Sequence, residues 1–113
     1  MAKIVIIDDE PAILKLMTKF CEGLGHDVVG LQSGSEGLKA IENEKPNVLI
    51  VDLRIGDMSG IEIIGKCSKE FPKMPIIMVT GFGSVETAVE AMRQGAFDYL
   101  TKPFELDDLQ RTL

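Results

Sequence analysis

The sequence predicts a doubly wound α/β domain: one five-stranded parallel sheet with helices on both faces. Three observations carry this expectation. Short β-branched runs alternate with segments of helical apolar spacing along the whole chain. The runs are apolar at consecutive positions, as strands covered on both sides must be, instead of alternating as in a half-exposed sheet. Finally, 113 residues of which 45% are apolar suit a single domain with a real core.

Ile4-Val5-Ile6-Ile7 is the first strand, closed by Asp8 and Asp9. Pro11 suits the first turn of a helix, where its missing N–H costs nothing. Ile13, Met17, Phe20 and Leu24 then recur as one apolar face, and Gly25 ends the helix. Val28 and Val29 suggest a shorter second strand. Ser33 with Glu36 forms a capping box for the second helix, whose buried side is Leu38 and Ile41. Pro46-Asn47 breaks it before Val48-Leu49-Ile50-Val51, a third strand ending at Asp52. A loop rich in Gly and Asp leads to a third helix marked by Ile61, Ile64 and Cys67.

Ile76-Ile77-Met78-Val79 is the fourth strand, ending at Thr80. Ser84 caps a fourth helix with Val85, Ala88, Val89 and Met92 inward, and Gly95 stops it. Met17, Met78 and Met92 are accordingly expected in the core. Phe97-Asp98-Tyr99-Leu100 is the fifth strand, before Lys102-Pro103. Leu106, Leu109 and Leu113 open a fifth helix, with Asp107 and Asp108 suited to its first turn, and the chain stops within it.

Eighteen acidic against twelve basic side chains give a net charge of −6. No Lys/Arg cluster is present to neutralise phosphates, so direct nucleic-acid binding by this segment is not expected. No apolar run approaches the ~20 residues of a membrane span, and none at the amino end resembles a secretory signal. Cys21 and Cys67 lack metal-ligand or CxxC spacing and read as buried apolar filler in a reducing, cytoplasmic compartment. His26, before the second strand, reads as a surface residue.

In open parallel sheets, ligands gather beyond the carboxyl ends of the strands. The residues there are Asp8, Asp9 and Glu10 after the first strand, Asp52 after the third, Thr80 after the fourth and Lys102 after the fifth. Singly, each has a plain alternative: a helix start, a loop cap, a turn hydroxyl, an exposed lysine. Together they bring acids, a hydroxyl and an ammonium to one edge. Crowded carboxylates raise one another's pKa or recruit a cation, and oxygen donors alone favour a hard ion such as Mg2+. A carboxylate beside such an ion can act as nucleophile, with the transferred charge met by Lys102, Thr80 and the metal. The set points to phosphoryl transfer onto an aspartate.

These residues, at these spacings, resemble the receiver domain of two-component response regulators. The stretch Gly95-Ala96-Phe97-Asp98-Tyr99-Leu100-Thr101-Lys102-Pro103-Phe104 is most similar to receivers of the nitrogen-regulator type, which precede ATPase transcriptional activators. The resemblance covers nearly the whole chain. It implies a flavodoxin-like strand order, 2-1-3-4-5, and a receiver over residues 1–113 that is cut within its last helix and lacks its output domain. It implies that Asp52 accepts a phosphoryl group from a sensor histidine kinase. Asp9, Asp52 and the backbone carbonyl of Arg54 would hold Mg2+, with Asp8 reaching it through water. Lys102 would pair with the phosphate, Thr80 would turn toward it, and the Tyr99 ring would follow. Lys102-Pro103 would be a candidate cis peptide. The face made by the fourth helix, fifth strand and fifth helix would mediate homodimerisation or contact with an output domain controlling transcription. Such a domain is no enzyme in the usual sense, though it phosphorylates itself from small donors and loses the group slowly.

The chain departs from the family where Met-Pro usually follows the phosphoacceptor: Ile55 and Gly56 stand there. Gly56 frees the backbone, so the loop carrying Arg54 is expected to be more mobile or differently shaped. Gly81 likewise replaces the usual alanine, while Arg54 and Phe82 favour slow dephosphorylation. A flavin or nucleotide binder would need a glycine-rich turn where Asp8-Asp9-Glu10 stand. A small-molecule aspartyl-phosphate hydrolase would need room for a cap, and a degenerate interaction module would not need the full residue set.

Overall fold

The computed structural model describes residues 2–81 and 85–101. Five strands form a parallel sheet: β1 (Lys3–Ile7), β2 (Asp27–Leu31), β3 (Val48–Val51), β6 (Ile76–Thr80) and β7 (Asp98–Thr101). Their spatial order is β2-β1-β3-β6-β7. A two-residue antiparallel ribbon, β4 (Arg54–Ile55) and β5 (Met58–Ser59), interrupts the numbering without joining the sheet. With it set aside, the order is the expected flavodoxin-like 2-1-3-4-5. Helices α1 (Pro11–Gly23), α2 (Gly34–Glu44), α3 (Gly60–Glu70) and α4 (Val85–Gln94) connect the strands.

The consecutive apolar residues of each strand divide between two cores. Val5, Ile7, Leu49, Val51, Ile76 and Met78 point to one face, where Ile41 of α2, Ile63, Ile64 and Cys67 of α3, and Ala91 of α4 meet them. Ile4, Ile6, Ile50, Ile77 and Val79 point to the other, against Met17 and Cys21 of α1. This is the period-two alternation of a strand read on both sides. Each fully buried aliphatic side chain contributes roughly 1.5–3 kcal/mol of transfer free energy.

Local signals behave as their chemistry requires. The Ser33 hydroxyl accepts from the Glu36 N–H at 3.2 Å and donates to the Glu36 carboxylate at 3.0 Å. Gly25, just past α1, has φ +94°, a conformation side chains resist. Lys45 closes α2 in the left-handed region at φ 47°. Cys21 and Cys67 are buried free thiols. His26 is half-buried, its Nδ1 accepting from the Ala2 N–H at 3.1 Å. Among the described residues no helix is long and apolar enough to cross a membrane.

The inward face of α4 needs correction. Val85 is 82% exposed, Val89 47% and Met92 48%, while Ala91 is fully buried. The helix packs through its small residues because it crosses α3 closely: a Cβ on Gly65 would lie 2.9 Å from Gln94 Oε1, and Ser68 Oγ donates to the Gln94 carbonyl at 2.6 Å. Large side chains cannot occupy that seam, so the apolar stripe faces outward and Met92 is not core. Smaller differences follow the same principle of exact phase. Cys21, not Leu24, continues the buried face of α1, Ile63 joins Ile64 and Cys67, and Phe97 precedes β7 as an exposed residue. Phe82, Ser84, Lys102, Pro103 and the expected fifth helix lie outside the described residues.

Candidate functional site

Strand register, more than any loop, assembles the site. Ile7 of β1 pairs with Val51 of β3, so the next residues, Asp8 and Asp52, leave the sheet side by side. Backbone bonds continue past the strands: Asp52 N–H donates to the Ile7 carbonyl at 3.0 Å, and Asp8 N–H to the Leu31 carbonyl at 3.1 Å. Thr80 ends β6 opposite Thr101 of β7; Lys102 lies outside the described residues. Asp8, Asp52 and Thr80 are the buried polar residues among those described, at 1%, 2% and 0% exposure. Buried polar groups are costly unless partnered, so their clustering at one sheet edge marks a site.

One carboxylate oxygen each from Asp8, Glu10 and Asp52 lie within 4.8 Å of one another. Asp8 Oδ1 also accepts from the Glu10 N–H at 2.9 Å, a tight turn that folds Glu10 back over the edge just before Pro11 begins α1. Asp9 is exposed and lines the adjoining cleft. The donor set is all oxygen and all anionic, which fits a hard divalent cation and not a soft one. Glu10 was visible in the sequence as one more edge acid; which of three consecutive acids turns inward depends on the turn before Pro11.

Beyond Asp52 the chain makes the β4–β5 ribbon, with Ile55 buried and Arg54 exposed. Gly60, first residue of α3, donates to the Leu53 carbonyl at 2.7 Å, and a Cβ there would collide with the Asp52 carbonyl oxygen. Only glycine allows α3 to start this close behind the acid. The ribbon borders an open cleft of about 710 Å³ whose lining includes Asp9, Arg54, Gly56, Asp57 and Thr87. Tyr99 stands on β7, half-buried against the core.

The description "response regulator receiver domain" belongs to the family model that matches residues 4–113. The chain belongs to this family. The receiver is 38% identical over 112 residues to the transcriptional regulatory protein GlrR of Escherichia coli, covering 99% of this chain and 25% of that protein. It thus spans about a quarter of that relative's length. A CheY-like receiver domain protein from Methanospirillum hungatei superimposes with a TM-score of 0.95 at 38% identity, covering 99% of this chain and 90% of that one. The beryllofluoride-activated NtrC4 receiver domain dimer gives a TM-score of 0.92 at 29% identity, covering 97% and 91%. As a receiver, the domain is a regulatory phosphoacceptor and not a conventional enzyme.

Proposed function

We propose that Asp52 is the phosphoacceptor of this receiver and takes its phosphoryl group from a sensor histidine kinase. The observation that carries the reading is the Asp52 carboxylate, 2% exposed at the sheet edge, with oxygens of Asp8 and Glu10 grouped beside it. An Asp52 oxygen attacks phosphorus as the P–N bond to the kinase imidazole breaks. The bond's electron pair stays on nitrogen, which takes up a proton, and Asp52 becomes an acyl phosphate.

Asp9, Asp52 and the Arg54 carbonyl would hold Mg2+, with Asp8 reaching it through water, and the ion would supply positive charge to the transferring oxygens. Glu10, grouped with Asp8 and Asp52, adds negative charge that favours the ion. Lys102 and the Thr80 hydroxyl meet the new phosphate, which adds about −2 charge, and Tyr99 moves in response. These differential contacts shift a pre-existing balance between two packings.

The output is a covalently linked domain that regulates transcription, a reading supported by the name of the GlrR relative. The α4–β7 face mediates the dimer or the output contact; the exposed Val85, Val89 and Met92 and the dimeric NtrC4 receiver support this. The domain works in the cytoplasm without touching nucleic acid itself, consistent with its net charge of −6.

Beryllofluoride, an acyl-phosphate mimic, tests the assignment without turnover. With Mg2+ it should shift the backbone amide resonances of Asp52, Thr80 and Tyr99 in the wild type and leave Asp52→Asn unmoved. Equal shifts in both proteins would contradict it.

A further inference from the structure

The first turn of α2 exposes four N–H groups that the helix itself cannot satisfy. The Ser33 hydroxyl serves one, accepting from Glu36 N–H, while the Ser33 carbonyl takes the first regular helical bond, from Gly37 N–H at 3.0 Å. Two more, on Gly34 and Ser35, are served by a residue far along the chain. Asp57 Oδ1 accepts from the Gly34 N–H at 2.7 Å and Oδ2 from the Ser35 N–H at 3.0 Å. Both bonds are charge-assisted, and the carboxylate sits at the positive end of the helix dipole. These N–H groups hold the Asp57 carboxyl below its ordinary value.

Asp57 lies at the turn of the β4–β5 ribbon, between Ile55 and Met58. A ribbon of two residues a side has little stability of its own. Gly56, at its tip, has open space where a Cβ would be, so it contributes no packing. The ribbon is therefore held from outside, by buried Ile55, by Met58 lying over Gly34, and by the Asp57 carboxylate. The loop that sequence reading marks as freed by glycine is pinned by the residue next to it.

We propose that Asp57 is a positioning residue for the phosphorylation site: by gripping the amino end of α2 it fixes the ribbon, and with it the Arg54 carbonyl. The inference rests on the assignment of that carbonyl to the metal. Asp57 touches neither phosphoryl group nor ion; its carboxylate is committed to α2. It converts a flexible Ile55-Gly56 segment into a defined ligand loop, the service that a proline at position 56 would otherwise give by restricting the backbone.

Mg2+ affinity of the folded, unphosphorylated protein, measured by calorimetric titration, tests this. Asp57→Ala should weaken binding by about tenfold, in the range for residues that orient metal ligands. Asp57→Asn, which keeps one side-chain acceptor, should lie between that and wild type. Ser33→Ala removes a different cap from the same helix turn and should lower the urea midpoint while leaving Mg2+ affinity within about twofold. Equal affinity in Asp57→Ala and wild type would overturn the proposal. So would an equal loss in Ser33→Ala, which would reduce Asp57 to one more helix cap. Failure of the wild type itself to bind Mg2+ would instead strike the site assignment, and the proposal with it.

Discussion

The hydroxyl of Tyr99 on β7 lies 3.1 Å from Thr87 Oγ1 on α4, so the proposed switch ring is tied to the helix beside it. Moving the ring means breaking or exchanging that bond, worth about 1 kcal/mol net, or roughly fivefold in an equilibrium. Thr87→Val should therefore favour the displaced ring and let beryllofluoride saturate at a several-fold lower concentration. Tyr99 is the only tyrosine and tryptophan is absent, so intrinsic fluorescence reads the ring directly. An unchanged titration midpoint would show that the bond does not bias the switch.

Gly60 and Gly56 should respond oppositely to alanine. At Gly60 the new Cβ meets the Asp52 carbonyl oxygen, and backbone must shift. Gly60→Ala should cost about 1–3 kcal/mol in urea unfolding and also impair phosphorylation at Asp52. At Gly56 nothing lies within 4 Å and φ is not positive, so Gly56→Ala should be neutral or stabilising by up to about 1 kcal/mol. Similar losses at both positions would contradict the packing described behind Asp52.

Burial pushes the thiols of Cys21 and Cys67 up to about 11 from an ordinary 9.0. In the unfolded chain these groups ionise at lower pH than in the folded one, so folding favours the protonated thiol. Their contribution is complete below pH 9.0 and is lost as pH rises toward about 11. A Cys21→Ala, Cys67→Ala variant should show a flatter fall in urea midpoint across that window. A parallel fall would mean the thiols are not protected. Native protein at pH 8 should also react slowly with thiol reagents.

The outward stripe of α4 should tolerate charge. Val85→Glu and Met92→Glu, at 82% and 48% exposure, should leave the unfolding free energy within about 0.5 kcal/mol. In sedimentation velocity with beryllofluoride they should suppress any dimer the wild type forms. A loss of stability as large as that of a core variant would restore the inward reading of these residues.

What could be read from sequence was what register and composition determine. Strands such as Ile4–Ile7 announce themselves because a strand buried on both faces must be apolar throughout. Once the strand ends are known, Asp8, Asp52 and Thr80 are placed by parallel pairing. The face of α4 was not legible, because Val85, Val89 and Met92 have the spacing of a core stripe, and only the close α3–α4 crossing shows that the helix buries Ala91 instead. The role of Asp57 was hidden for a different reason. Its partners lie 23 and 22 residues away in sequence, so no local capping signature exists to find. Nor does sequence decide among Asp8, Asp9 and Glu10, since a single turn before Pro11 determines which carboxylates face Asp52.

Intact mass after brief incubation with acetyl phosphate, with and without Mg2+, on wild type and Asp52→Asn, tests the central claim most directly. One added phosphoryl group that requires both the metal and Asp52 is expected. No adduct at times short enough to outrun hydrolysis, or an adduct that persists in Asp52→Asn, would contradict the assignment of Asp52 as the phosphoacceptor.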